Sequence, residues 1–242
     1  MISAVALSDF EKNLISKKGI KAIYFNFGLG TLYSVSNEKG ETVSLISVKF
    51  PSAYLIFEKT PSEDEKAEIT EFLKALKIKE TVSEEKLFED MEKLFICEFE
   101  GEEETEKEMI SEATGRDYDL CYNLLTSVGF VLPEKDEYYV TSFERAKLGL
   151  KTYIIKDENN ALSTAAVLGE GESGALIGAV ATSKLARNRG YASKIVLHAA
   201  SCLKKAKKTP LITYFDEKAG KIYKSIGFKV KEIVYIQTEK RS

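Results

Sequence analysis

The chain has 242 residues and a formal net charge of only −3, so as a whole it is no polyanion binder. Its three cysteines are far apart with no C-x-x-C, which argues against a disulfide framework or a zinc knuckle. A single histidine, His198, removes chemistry that needs two, such as H-E-x-x-H zinc hydrolysis, and no metal is expected.

The N-terminus "MISAVALSDFEKN" lacks a basic segment followed by a long apolar run. No stretch approaches the roughly 20 apolar residues of a membrane helix. The expectation is a cytoplasmic protein with no membrane partner. β-type runs follow at 20–27, 31–36, 42–48 and 53–58, with "NEKG" (37–40) as a turn. "TPSEDEKAEITEFLKAL" predicts a helix, with Glu63, Asp64 and Glu65 at its positive end and Ile69, Phe72, Leu73 and Leu76 on one face. A second helix is expected over 83–94 and a strand over 94–99. The acidic run 98–112 reads as a loop or a solvated helix start. Helices are expected at 118–130, stopped by Gly129, and at 141–150.

The pattern then changes. Strands are expected at 151–157, 161–169 and 174–182, separated by "DENN" and "EGES". A helix over about 190–206, a strand at 210–215, a helix at 217–225 and a strand pair in "FKVKEIVYIQT" complete the chain. Both halves offer strands followed by helices, which raises a structural duplication. Residues 183–208 hold eight Lys or Arg and no Asp or Glu, either a solvated face or a site for an anionic ligand.

Two segments bear glycines suited to phosphate. "GEGESG" (169–174) is a literal G-x-G-x-x-G, but a dinucleotide loop must open a helix, because the helix N-terminus binds the pyrophosphate. Here "ALIGAVAT" follows, which favours a strand, and Glu170 and Glu172 repel phosphate. It reads as a hairpin turn. "RNRGYA" (187–192) does open a helix, whose buried face is Ala192, Ile195, Val196, Ala199, Leu203 and Ala206. Gly190 falls where free backbone N–H groups collect, and only a small residue there lets a pyrophosphate approach. Arg187 and Arg189 add fixed charge, and Ser193 a hydroxyl.

The stretch "GALIGAVATSKLARNRGYASKIVLHAA" resembles the central motif of the GNAT N-acetyltransferase superfamily: a strand, a short loop, R/Q-x-x-G-x-G/A, then a helix. Val180 and Thr182 close the strand; Arg187, Gly190 and Ala192 occupy the defining positions. Downstream, "YFDEKAGKIYKSIGF" is similar to the second motif, N-x-x-A-x-x-F/Y-Y-x-x-x-G-F, through Ala219, Tyr223, Gly227 and Phe228. Lys184 stands where a proline is common, Asn188 where a second glycine is common, and Asp216 where asparagine is usual. The clear resemblance covers about 150–242, and the expected domain extends back to 94.

The resemblance implies an α/β GNAT fold over 94–242, a mixed, mostly antiparallel sheet flanked by helices. Residues 1–93 form an additional N-terminal α/β region, a candidate degenerate copy. It implies acetyl-CoA as acyl donor, its arm lying along Val180, Ala181 and Thr182 through their backbone groups. The pyrophosphate would lie at Arg187, Asn188, Arg189, Gly190, Tyr191, Ala192 and Ser193, with Asp216 near the cofactor. It gives Tyr223 the role of acid toward the departing thiolate, in a direct transfer to a primary amine. The base is open among Glu144, Glu170, Glu172 and water. His198, at the polar edge of its helix, is expected to be solvent-exposed. Two other readings remain: a non-catalytic CoA-binding sensor, and a nucleic-acid module using 183–208. The second lacks the interleaved aromatics that single-strand binding favours.

Overall fold

A computed structural model describes the chain except residues 22–24, 26–28, 103–108, 131, 172–173 and 239–242. The chain divides into two compact units. Unit 1 is Met1–Ile96 with Val230–Ser242, and unit 2 is Cys97–Lys229.

Unit 1 contains β1 (Ile2–Ala4), α1 (Asp9–Ser16), β2 (Thr31–Ser36), β3 (Thr42–Lys49), β4 (Ser52–Phe57), α2 (Glu63–Ala75) and β5 (Glu80–Ser83). Strand β6 (Glu92–Phe99) leads out of it. β1 to β4 form an antiparallel meander, and β5 lies parallel to β4. The "NEKG" turn forms as its residues demand: the Asn37 carboxamide accepts from the backbone of Lys39 and Glu41, and Gly40 takes φ +77°. α2 starts with a capping box. Ser62 accepts from the Glu65 amide, and Glu65 accepts from the Ser62 amide at 2.8 Å. Its buried Ile69 and Leu73 pack on Val35, Ile46, Leu55 and Phe57 of the sheet.

Unit 2 runs β7 (Ser111–Glu112), α3 (Asp117–Ser127), α4 (Lys135–Lys147), β8 (Thr152–Lys156), β9 (Ala161–Glu170), β10 (Gly174–Thr182), α5 (Tyr191–Lys205), β11 (Thr209–Tyr214) and α6 (Glu217–Ser225). β7 to β10 are antiparallel neighbours, and β11 is parallel to β10. α5 buries Ile195, Val196, Ala199, Ala200 and Leu203, the stripe its apolar spacing predicts. α3 and α4 cover the other core, around Cys121, Leu125, Tyr138 and Ile154. The chain ends in β12 (Phe228–Thr238).

Several expectations are corrected. Residues 83–94 are not a helix. Ser83 is held in the ladder between β4 and β12, Leu87 and Phe88 pack against the unit 1 core, and a strand begins at Glu92. Pairing and burial there override local helical preference. The stretch 228–238 is one strand, not two, and it pairs antiparallel with β5 from Tyr235↔Ser83 to Thr238↔Glu80. The run at 20–27 lies mostly outside the described residues, and its described members, Ile20, Lys21 and Phe25, are helical. The short β1, β5 and β7 and helix α1 have too little periodicity to be read from sequence. Among the described residues no helix is long and apolar enough to cross a membrane.

Candidate active site

The glycine segment "GEGESG" joins two antiparallel neighbours, β9 and β10, with Glu170 opposite Ala175 and Gly171 N–H bonded to Gly174 C=O at 2.8 Å. It is a hairpin connection, as its lack of a following helix predicts. β10 then departs from regularity. Gly178 faces Ala166 and Ala181 faces Thr164, so three steps on β10 answer two on β9. The extra residue is a β-bulge, and Ala179 within it has φ +49°, uncommon for a residue with a Cβ.

On its other edge β10 pairs with β11 only from Gly174↔Thr209 to Ile177↔Ile212. Beyond Ile177 the parallel ladder ends, and β10 continues alone on that edge to Thr182. The peptide planes there are set by β9. Ser163 Oγ donates to the Ala181 carbonyl at 2.9 Å, and Ser183 N–H donates to the Leu162 carbonyl at 2.9 Å. The two groups of a trans peptide point opposite ways. Thr182 therefore turns both its N–H and its C=O away from β9, toward the slot left by β11. Val180 lies within the bulge, two residues ahead of Thr182. Ala181 presents its carbonyl to β9, and its side chain joins the α3/α4 core. Ser163 also lies 2.9 Å from Thr182 Oγ1. Its proton serves Ala181, which leaves the threonine hydroxyl as donor in that second bond. The sequence reading missed Ser163; a serine amid "ALSTAAV" carries no local signal of this partnership.

A 3-10 turn (Lys184–Ala186) carries the chain from β10 to α5. Asn188 (φ +61°) and Gly190 (φ +76°) both take left-handed backbone, and no side chain caps the helix. The first helical bond of α5 runs from Lys194 N–H to Gly190 C=O at 3.0 Å. The amides of Tyr191, Ala192 and Ser193 thus precede any intrahelical acceptor, at the positive end of the helix dipole. A Cβ built on Gly190 meets nothing within 4 Å, so open space lies over this turn. Arg187 and Arg189 are exposed, and neither enters a salt bridge among the described residues. Uncapped amides, two arginines without a salt bridge among the described residues and room above them make an anion-binding turn suited to a phosphate group. The free edge at Thr182 offers an N–H and a C=O to which an extended amide chain can pair.

Tyr223 lies on α6, is 7% exposed, and packs between Tyr214 and Phe228 at 6.2 Å from each ring centroid. Burial, then the charge of Asp216 and the neighbouring Cys97, push its phenol up to about 12, so it holds its proton at neutral pH. Asp216 is the N-cap of α6: its carboxylate accepts from Lys218 N–H at 2.9 Å. Gly220 is required by packing, since a Cβ there would lie 2.4 Å from the Tyr214 ring.

Of the other sequence candidates, Glu144 is exposed on α4 and Glu170 pairs with Lys208 at 2.8 Å; Glu172 lies outside the described residues. His198 is half-buried, not solvent-exposed as expected. Its ring meets Tyr153 edge-on at 4.9 Å, and its Nε2 lies 3.6 Å from Cys202 Sγ. The polar edge of α5 is covered there by β8, which sequence periodicity does not reveal.

Residues 155–236 match the model of the FR47-like protein family. No curated protein matches the chain. Solved structures do. An acetyltransferase of the GNAT family from Colwellia psychrerythraea superposes with a TM-score of 0.63 at 14% identity, over 100% of both chains. A GCN5-related N-acetyltransferase from Kribbella flavida gives 0.59 at 12% identity, over 98% of each chain. A protein assigned to the GNAT family from Novosphingobium aromaticivorans gives 0.52 at 13% identity; the match covers 65% of this chain and spans 65% of that protein's length. The fold is that of the GNAT acetyltransferases. The FR47-like segment contains β10, α5 and Tyr223.

Proposed function

We propose that the protein transfers an acetyl group from acetyl-CoA to a primary amine. The observation that carries this reading is the parting of β10 from β11 after Ile177↔Ile212, which exposes the Thr182 edge just ahead of the uncapped α5 N-terminus. Val180 and Thr182 would pair with the pantetheine amides, and residues Arg187 to Ser193 would hold the pyrophosphate. Ala181 would support the edge from behind. Asp216, bound to its own helix, acts on the site through its charge.

Acetyl-CoA supplies a thioester carbonyl open to attack. The acceptor nitrogen forms the C–N bond, the C–S bond breaks, and the thiolate takes the Tyr223 proton. The proton lost by the amine passes to water or to a carboxylate. A free backbone N–H on β10 stabilises the carbonyl oxygen as negative charge builds on it. The phenol's high pKa keeps this acid charged with its proton across the physiological range.

The test is calorimetry with acetyl-CoA, followed by CoA-thiol release over a panel of primary amines. Micromolar binding and amine-dependent release are the expected results. Binding with no release for any amine would mark a CoA-binding sensor, and no binding at millimolar ligand would end the reading.

A further inference from the structure

The two units repeat one strand order: an antiparallel meander, a helix, then a strand parallel to the last of the meander. In this correspondence β4 stands for β10, α2 for α5 and β5 for β11. The parallel ladder is equally short in both, from Ser52↔Glu80 to Leu55↔Ser83 in unit 1. Beyond Leu55, as beyond Ile177, a slot follows.

In unit 1 the backbone groups at that edge are engaged. Glu84, directly after β5, returns its carboxylate to β4 and accepts the Phe57 N–H at 2.7 Å, while its own N–H donates to Leu55 C=O at 3.2 Å. Lys18 donates to the Phe57 carbonyl and pairs with Glu84 at 3.0 Å. Lys21 approaches the other carboxylate oxygen at 3.6 Å. The Glu84 side chain is 8% exposed, so this is a buried, paired charge rather than a surface contact. The N–H and C=O of Phe57, two residues past the last β4–β5 pair, are both engaged, whereas those of Thr182, five residues past the last β10–β11 pair and on the same edge of its strand, have no strand partner among the described residues.

Two independent differences point the same way. The β3–β4 ladder runs from Ser44↔Phe57 to Lys49↔Ser52 without a bulge. The α2 N-terminus is occupied by the Ser62/Glu65 capping box and carries Glu63, Asp64 and Glu65, which repel phosphate where α5 offers open amides and arginines.

We propose that unit 1 is a second acyl-CoA-type unit closed by its own Glu84–Lys18 pair, so that the chain takes one acyl-CoA, in unit 2. The count of one rests on the proposed function; the closure does not.

Two measurements test it. The first is site-resolved amide exchange on the ligand-free protein. Phe57 N–H should exchange at least about 100-fold more slowly than Thr182 N–H, and saturating acetyl-CoA should protect Thr182 and leave Phe57 unchanged. In Glu84→Gln, which keeps an acceptor, Phe57 should stay protected; in Glu84→Ala it should speed up at least about tenfold. Phe57 exchanging as fast as Thr182 in the wild type overturns the closure without any variant. The second is calorimetric stoichiometry: one acetyl-CoA for the wild type and none for Gly190→Asp. Two sites, or one retained in Gly190→Asp, would overturn it. A wild type that binds none removes the proposed function, and the exchange result then decides the closure alone.

Discussion

Ser163 on β9 reaches diagonally to Ala181 on β10, and the 2.9 Å bond from the serine hydroxyl to the alanine carbonyl fixes which way Thr182 points. Both residues are buried. In Ser163→Ala the carbonyl loses its side-chain donor and the Thr182 hydroxyl its acceptor. A loss of roughly 1–3 kcal/mol in urea unfolding is expected, along with weaker acetyl-CoA binding. Unchanged affinity would show that the strand edge holds its orientation without this bond.

Gly220→Ala should destabilise the protein although alanine is the better helix former. The helix gain is about 1 kcal/mol, against about 1–3 kcal/mol for overpacking a buried ring. Tyr214 is 3% exposed and cannot swing aside. In a Tyr214→Ala background the sign should reverse, because the contact is gone. Chemical denaturation of the four proteins in this cycle measures it.

Gly190→Asp should remain folded and lose the thermal shift that acetyl-CoA gives the wild type. The new side chain enters open space, so the fold suffers only the strain of φ +76°, about 1–2 kcal/mol. The carboxylate stands where the phosphates need amides and arginines. A normal shift in a folded variant would place the phosphate site elsewhere.

Tyr223→Phe should reduce kcat by roughly 10²–10⁴-fold with KM for acetyl-CoA little changed, read by single-turnover transfer. It also has a pH signature. With the phenol at about 12 in the folded protein and near its ordinary value unfolded, the unfolded chain loses that proton first. The contribution of Tyr223 to stability is whole below about pH 10 and falls as pH rises toward 12. The wild type should lose more stability than Tyr223→Phe over that window, and equally below it.

Asp216→Asn should keep the α6 cap and so leave the melting temperature nearly unchanged, whereas Asp216→Ala should cost about 1 kcal/mol. Both remove a negative charge that raises the Tyr223 phenol. Tyrosinate should therefore form in the folded protein at lower pH in both variants, and the alkaline loss of stability, which still begins near pH 10, should be smaller, as followed by tyrosinate absorbance and unfolding together.

Local signals carried much of unit 2 and part of unit 1. "GEGESG" is a hairpin because a strand-forming run follows it, and "RNRGYA" is a helix entry because an amphipathic stripe follows it; both judgements use neighbours within a few residues. The helix at 217–225 and the strands at 31–36 and 174–182 come from the same kind of evidence, and the structure has each of them with those bounds. The helix expected at 83–94 failed for the opposite reason. "SEEKLFEDMEKL" has helical composition, but Ser83 is claimed by β4 and β12, residues far away in the chain.

Sequence alone determined which residues sit at the glycine turn, which arginines flank it and which tyrosine follows on the next helix, because backbone freedom, charge and periodicity are properties of short segments. Tertiary structure decided the rest. It sent β12 to pair with β5, ended the β10–β11 ladder at Ile177, and used Ser163 to aim Thr182 outward. It also brought Glu84 and Lys18 onto the Phe57 peptide, closing in unit 1 what stays open in unit 2. Those outcomes depend on hydrogen-bond partners 18 to 39 positions apart in the chain, and longer for β12. Such partners are chosen by the packing of whole elements rather than by any residue's own preference.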